Sequence, residues 1–104
     1  MKNPDYSKCQ IYKLVCNDPT ITDCYIGFTT NFKERMKSHK TAVRNSSKLK
    51  YAFINIWGGW NNWTMKVIED YPCRTLQEAE ARETYYINIY KPSLNTYKCA
   101  YTKK

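Results

Sequence analysis

The sequence predicts an α+β fold, in which a small three-stranded antiparallel sheet is flanked by helices in the order β-β-α-α-β-α. Two patterns support this prediction. Short segments rich in β-branched and aromatic residues lie between turn residues, as in strands. Longer segments repeat apolar residues every three or four positions, as in amphipathic helices. At 104 residues the chain has the size of one domain, so we expect residues 1–104 to form a single unit.

The sheet is expected to begin with a hairpin made of two strand segments and the turn between them: residues 9–16, 17–20 and 21–28. If the four turn residues alone form the loop, Cys16 pairs with Ile21. Tyr12 then lies directly opposite Tyr25, and the two side chains share one face of the sheet about 5 Å apart.

The first helix is expected to start at an Asn31 cap with Glu34 as its reciprocal partner, and to run to about Arg44. One stripe of this helix combines apolar residues with a histidine: Phe32, Met36, His39 and Val43. A lone histidine in such a stripe is either a satisfied core residue or a functional one. Arg35, on the flank of the same face, is either a surface charge or a partner of His39.

A second helix is expected after a cap at Ser47, and the paired glycines of residues 57–60 end it. Its apolar residues recur at helical spacing: Leu49, Ala52, Phe53 and Ile56. Residues 63–69 have the alternation of a third strand. A third helix is expected over residues 75–90, where Lys91 and Pro92 stop it.

The third helix carries a misplaced carboxylate. Glu83 falls near the middle of the apolar arc formed by Leu76, Ala79, Tyr86, Ile87 and Tyr90. A carboxylate on a core-facing stripe is costly unless it is paired, neutralised or bound to a metal, so a salt bridge and a metal site are both open. Glu80 lies away from the arc and has the position of an ordinary solvated residue.

The composition is that of a folded basic domain. Apolar residues make up 42% of the chain, with ten tyrosines, three tryptophans and three phenylalanines, which excludes a disordered basic tail. The 17 basic residues outnumber the 9 acidic ones and give a net charge of +8, which favours nucleic acid as a partner. Apolar runs are far shorter than the ~20 residues of a membrane span, so no membrane partner is expected.

The five cysteines are odd in number and lack a C-x-x-C pair: Cys9, Cys16, Cys24, Cys73 and Cys99. We therefore expect free thiols packed as small hydrophobes rather than a zinc site or a disulfide framework. The polar start of the chain has no signal-peptide core. Together these features predict an intracellular protein in a reducing compartment.

Two tyrosines, an arginine, a histidine and a glutamate on elements that pack together suit phosphodiester hydrolysis. The reaction needs a nucleophilic water, a cation on the phosphate oxygens and help for the leaving oxygen. Glu83 can hold one Mg²⁺, and Arg35 can grip the phosphate. A tyrosine, with an ordinary pKa of about 10, needs nearby positive charge to act as a base, and Arg35, His39 and a metal are the candidate charges.

Five ordered segments resemble the GIY-YIG nuclease family: Gln10-Ile11-Tyr12, Tyr25-Ile26-Gly27, the start of the Arg35 helix from Asn31 to His39, Arg82 to Ile87, and the closing Lys91 to Asn95. The resemblance implies a DNA endonuclease with one Mg²⁺ or Mn²⁺ per active site. It implies that Tyr12 and Tyr25 are the active-site tyrosines, with Tyr12 as the base that activates water.

The resemblance also implies that Arg35 is the phosphate ligand, His39 a proton or phosphate partner and Glu83 the metal ligand. The role of Asn95 in organising the site rests wholly on the resemblance, since the residue is otherwise an ordinary turn residue. Two positions depart from the family. Gln10 replaces the first glycine, and Phe28 stands where some members carry a lysine.

Six basic residues are candidates for tracking the DNA backbone, with a solvated helix face as the alternative: Lys33, Lys37, Lys40, Arg44, Lys48 and Lys50. The tryptophans at 57, 60 and 63 either stack on bases or pack in the core. With no separate DNA-reading segment in the sequence, specificity is expected to be low, built from loops, or supplied by a homodimer or a partner protein. The alternatives are a non-catalytic nucleic-acid-binding module and a structural basic protein.

Overall fold

A computed structural model describes residues 4–95. Within this range three strands and three α-helices follow one another in the predicted order, which confirms the α+β fold. Their bounds are β1 (Gln10–Cys16), β2 (Cys24–Thr29), α1 (Phe32–Asn45), α2 (Leu49–Ile56), β3 (Trp63–Asp70) and α3 (Leu76–Tyr90).

The central strand of the sheet is β1, which pairs antiparallel with β2 on one side and β3 on the other. Its neighbours Ile11 and Tyr12 point to opposite faces, and both are 0% exposed. Both faces of β1 are therefore covered. On the Tyr12 face, β1 packs with Val43 of α1 and Ile54 of α2 in the main apolar core.

The predicted hairpin register was wrong by two residues. Tyr12 pairs with Gly27, and Tyr25 pairs with Leu14. The loop runs to Asp23 rather than to Thr20, because Asp18 accepts hydrogen bonds from both Thr20 N–H and its hydroxyl and closes a turn of its own. A shift of two residues keeps side chains on the same face, so both tyrosines still lie on one face of the sheet.

The start of α1 confirms the Asn31 cap, whose side chain accepts the Glu34 N–H at 3.1 Å. The reciprocal half of the predicted capping box was wrong. The Asn31 N–H donates instead to the Thr29 hydroxyl at 3.0 Å, since the end of β2 comes close to the helix start. This short connection fixes α1 against β2.

The second helix forms as predicted, but its cap and its buried face differ from the prediction. The cap position is Lys48, whose N–H donates to Ser46 Oγ, so Ser47 is not the cap. The predicted apolar stripe is largely exposed, with Ile56 73% exposed. The buried residues of α2 are Lys50, Tyr51 and Ile54. Gly58 and Gly59 have positive φ angles of 101° and 76°, and they end the helix as expected.

The third helix starts at a Thr75 cap, which accepts the Glu78 N–H, and ends at Lys91 in the left-handed conformation. It packs mainly against β2. A bidentate pair between Arg82 and Glu69, with N···O distances of 2.6 and 3.1 Å, ties it to β3 as well. Its arc is less buried than predicted, since Ala79 is the one fully buried member.

Four cysteines lie within the described part of the chain and are free thiols, as predicted: Cys9, Cys16, Cys24 and Cys73. Cys9 and Cys16 are buried, while the other two are half-buried. Cys99 lies outside the described residues. None of the helices in the described range has the length and apolar character needed to cross a membrane.

Candidate active site

Four of the six predicted site residues line one open cavity of about 430 Å³, whereas His39 and Asn95 lie behind its wall and do not line it. Tyr12 of β1 and Tyr25 of β2 line it together with Arg35 of α1 and Glu83 of α3. Glu80 is exposed, as expected, and it lines the same cavity. The convergence of phenols, guanidinium and carboxylate that the sequence predicted is therefore present.

Tyr12 is the hub of the cavity wall, and its side chain is 0% exposed. Its hydroxyl accepts a hydrogen bond from Arg35 Nε at 3.2 Å and shares another, of 2.7 Å, with His39 Nε2. The rings of Tyr12 and Tyr25 are tilted, with centroids 6.3 Å apart. Because the Tyr12 hydroxyl is already bonded twice and covered, water reaches it only when a covering group moves.

Gly27 makes room for the Tyr12 hydroxyl. A Cβ atom at position 27 would lie 2.6 Å from Tyr12 Oη and 2.7 Å from Cζ, well inside van der Waals contact. Gly27 pairs with Tyr12 in the sheet, and the Tyr12 ring lies directly over the Gly27 backbone. The glycine of the Tyr25-Ile26-Gly27 segment is thus required by the packing of the other motif.

His39 is a buried, neutral link between two phenols. It is 0% exposed, its Nε2 shares a hydrogen bond with Tyr12 and its Nδ1 shares one of 2.8 Å with Tyr51. Burial lowers the pKa of His39 to about 3, and the positive charges of Arg35 and Lys50 act in the same direction. A neutral imidazole has one donor and one acceptor nitrogen, so the network Tyr12–His39–Tyr51 is directional.

Both phenols that line the cavity, those of Tyr12 and Tyr25, are held in the neutral form. Burial raises the pKa of Tyr25 to about 12, and the negative charge of Glu83 adds to this. Burial also raises the pKa of Tyr12, while Arg35 opposes the shift. Of the cations predicted to assist a tyrosine, Arg35 does so. His39 does not, because it carries no charge at neutral pH.

Tyr51 and Lys50 are the residues of this site whose place the sequence analysis missed. Tyr51 lies on the face of α2 opposite to the predicted apolar stripe, and it holds the second nitrogen of His39. Lys50 is only 7% exposed, and its Nζ lies 4.0 Å from the centroid of the Tyr25 ring. A polar residue next to a stripe gives no sequence signal of burial.

Asn95 holds the edge of the sheet behind Tyr25. Its Oδ1 accepts the Ile26 N–H at 2.8 Å, and its Nδ2 donates to the Ile26 carbonyl at 2.9 Å. The amide thus pairs with the free edge of β2 as a neighbouring strand would. Because Tyr25 precedes Ile26, these two bonds fix the strand that positions the phenol.

The candidate backbone-binding residues separate into two groups. Lys33, Lys37, Lys40 and Arg44 lie on one face of α1 and are exposed, as is Lys48 beyond it. Lys50 is buried against Tyr25 and does not belong to this exposed surface.

The tryptophans also separate. Trp63 is in the core at 5% exposure and Trp60 stacks on His39, whereas Trp57 is 41% exposed.

Of the two departures from the expected motif, Gln10 does not enter the cavity. Its Nε2 donates to Asp70 Oδ1 at 2.8 Å, which turns the side chain toward β3. Phe28 does line the cavity. Position 28 therefore supplies no positive charge to Tyr25. The Lys50 ammonium group of α2, 4.0 Å from the centroid of the Tyr25 ring, supplies one.

The cavity fits a divalent ion held by few protein ligands. Glu83 is half-buried, and with Glu80 it supplies carboxylate oxygens, the ligands that Mg²⁺ and Mn²⁺ prefer. Residues 4–95 contain no cluster of three or more His, Cys, Asp or Glu side chains suited to a metal cage. This composition matches Mg²⁺, which keeps most of its waters and takes one or two protein carboxylates.

Comparison with protein families gives a match to the GIY-YIG catalytic domain over residues 8–98. Since this match covers nearly the whole chain, the protein belongs to the GIY-YIG family of nucleases. It is a phosphodiester-cleaving enzyme of a family that acts on DNA and typically uses a divalent metal. Neither curated proteins nor solved structures gave a significant match.

Proposed function

We propose that the protein is an endonuclease that hydrolyses DNA phosphodiester bonds with a water activated by Tyr12, a phosphate clamp at Arg35 and one Mg²⁺ or Mn²⁺ held by Glu83. The observation that supports this best is the pair of hydrogen bonds on the Tyr12 hydroxyl, at a cavity that Glu83 also lines. A base, a phosphate cation and a metal ligand then border one space.

Tyr12 acts as the base through its contact with His39. In the tautomer in which Nε2 is the acceptor, the Tyr12 hydroxyl donates a hydrogen bond to His39 Nε2, and His39 Nδ1–H donates one to the Tyr51 oxygen. As the water attacks phosphorus, its proton moves to the Tyr12 oxygen and the phenol proton moves to His39. The bond between phosphorus and the leaving oxygen breaks, and that oxygen takes its proton from solvent. Neutral His39 is needed for this transfer, since an imidazolium has no acceptor nitrogen.

Arg35 has two successive partners. In the free protein its Nε donates to Tyr12 and keeps the hydroxyl covered. The guanidinium has five N–H donors in a planar fork, a geometry that matches phosphate oxygens. When DNA binds, Arg35 turns toward the scissile phosphate, which opens the Tyr12 hydroxyl to water at the reacting bond.

Glu83 is the residue that would hold the divalent ion, with Glu80 beside it on the cavity wall. When bound, the ion supplies positive charge to the phosphate and leaving oxygens, which is the usual contribution of such ions to phosphodiester hydrolysis. Tyr25 borders the same space and orients the water or phosphate by its hydroxyl. The exposed face of α1 with Lys33, Lys37, Lys40 and Arg44 follows the DNA backbone.

The test is cleavage of supercoiled plasmid in Mg²⁺ or Mn²⁺, with DNA binding measured in parallel. We expect the wild type to nick the plasmid, and Tyr12→Phe and Glu83→Gln to bind DNA normally but cleave it at least about a hundredfold more slowly, the usual contribution of a general base. Tyr85→Phe and Glu34→Gln are matched controls at exposed positions and are expected to cleave normally. Unchanged cleavage by Tyr12→Phe would refute the assignment of the base.

A further inference from the structure

Lys50 is a buried cation in direct contact with the site. It is 7% exposed, whereas the other candidate DNA-binding cations are exposed. Its Nζ lies 4.0 Å from the centroid of the Tyr25 ring and 5.1 Å from that of Tyr51. Taking an ammonium group out of water is costly, so a buried lysine needs contacts that offset this cost. Contacts with the faces of aromatic rings are of this kind.

The two rings that Lys50 contacts are both tied to the active site. Tyr25 lines the cavity, and the Tyr51 hydroxyl bonds to His39 Nδ1. The His39 ring also lies edge-on to Tyr25, with centroids 5.8 Å apart. One ammonium group therefore lies over two of the aromatic rings that pack against the imidazole.

His39 lies between two cations. Arg35, one turn earlier on α1, bonds to the same Tyr12 hydroxyl, and Lys50 approaches from α2. Within residues 4–95, the imidazole bonds to, packs against or lies near the charge of Tyr12 of β1, Tyr25 of β2, Tyr51 and Lys50 of α2, Trp60 beyond α2, and Arg35 of its own helix. None of these carries a negative charge at neutral pH, and two carry a positive one.

We propose that Lys50 is a positioning residue of the nuclease site rather than a DNA ligand: its ammonium group holds the Tyr25 and Tyr51 rings around His39, the residue that the proposed function uses as the acceptor of the Tyr12 proton. This inference rests on the proposed function in one respect, the use of His39 as a proton acceptor. The placement of the rings and the charge state of His39 do not depend on it.

The first test is the titration of His39 by NMR, which is unambiguous because the chain has one histidine. We expect Lys50→Met to raise the pKa of His39 by about one unit, because the substitution removes a positive charge that disfavours protonation of the buried imidazole. Lys50→Arg should restore the wild-type titration. Lys13→Met is the matched control, because Lys13 also lies over a tyrosine ring, at 4.3 Å from Tyr90. It should leave His39 unchanged.

The second test separates positioning from DNA binding. We expect Lys50→Met to lower the single-turnover cleavage rate at saturating protein at least about tenfold, with the Kd for DNA and its salt dependence unchanged. Lys50→Arg should recover most of the rate. A weaker Kd with a shallower salt dependence would instead mark Lys50 as a phosphate ligand and overturn the proposal, as would wild-type cleavage by Lys50→Met or an unchanged His39 titration in it.

The role of Lys50 can be tested even if one variant does not fold or the nuclease mechanism is wrong. If Lys50→Met does not fold, Lys50→Gln, which keeps a polar side chain of similar length, is read for the same two outcomes. The His39 titration needs no cleavage, so it tests Lys50 even if the nuclease mechanism is wrong. Normal cleavage by Tyr12→Phe would refute the proposed mechanism, whereas an unchanged His39 pKa in Lys50→Met, or in Lys50→Gln where it replaces that variant, would refute the role of Lys50.

Discussion

Replacing Gly27 by alanine is expected to disable the site, because the new methyl group displaces the Tyr12 phenol. The new methyl carbon would lie 2.6 Å from Tyr12 Oη, about 1 Å inside the ordinary contact distance of ~3.5 Å. The phenol is rigid and its ring is enclosed, so the ring must move as a unit. A shift of about 1 Å stretches the 2.7 Å bond to His39 and the 3.2 Å bond to Arg35 beyond useful geometry.

Two magnitudes follow from this displacement. Overpacking of a buried site costs about 1–3 kcal/mol of unfolding free energy. Misplacement of a catalytic group by about 1 Å lowers the rate about a hundredfold. Single-turnover cleavage and urea unfolding of Gly27→Ala measure both. Gly59→Ala is the control, because position 59 has a positive φ but open space around it, so we expect about 1 kcal/mol of destabilisation and normal cleavage.

If Gly27→Ala cleaves plasmid at the wild-type rate, the Tyr12 hydroxyl does not need its present position. Loss of stability with normal cleavage would lead to the same conclusion. In either case the Tyr12 hydrogen bonds to His39 and Arg35 would describe the fold and not the chemistry.

Two further outcomes are expected from the same structure. The pKa of His39 is lowered from its ordinary 6.5 to about 3, so between these pH values the unfolded chain binds a proton that the folded chain does not. The contribution of neutral His39 to the unfolding free energy is therefore complete above pH 6.5 and is lost as the pH falls toward 3. Urea unfolding between pH 7 and 5 should show a loss approaching about 1.4 kcal/mol per pH unit, and His39→Gln should flatten it. Asn95→Ala leaves Ile26 N–H and its carbonyl unpaired, so we expect about 1–3 kcal/mol of destabilisation and slower cleavage with DNA binding retained. An Asn95→Ala variant as stable and active as the wild type would contradict this.

The sequence was sufficient to predict the elements and most of the site, because hydrophobic period and turn residues are local signals. Element order, the Asn31 cap and the glycine end of α2 follow from such signals. The placement of Tyr12, Arg35 and Glu83 at one cavity was also predicted, since a polar residue in an apolar stripe stands out.

What the sequence could not predict depends on distant partners. The hairpin register changed because Asp18 closes its own turn. The predicted stripe of α2 faces solvent because the opposite face carries Tyr51, which bonds to His39, and Ile54, which packs in the core. Burial of Lys50 depends on two rings supplied by β2 and α2. The bonds of Asn95 to Ile26 join residues 69 positions apart, and no local pattern indicates them.

The most direct measurement is a crystal structure of the protein with Mn²⁺ and a DNA duplex whose scissile linkage resists cleavage. The account predicts an anomalous peak at about 2 Å from a Glu83 carboxylate oxygen, inside the cavity that Tyr12 and Arg35 line, with Arg35 on the phosphate. An ion bound elsewhere, with Glu83 paired to a basic side chain and remote from the phosphate, would contradict it.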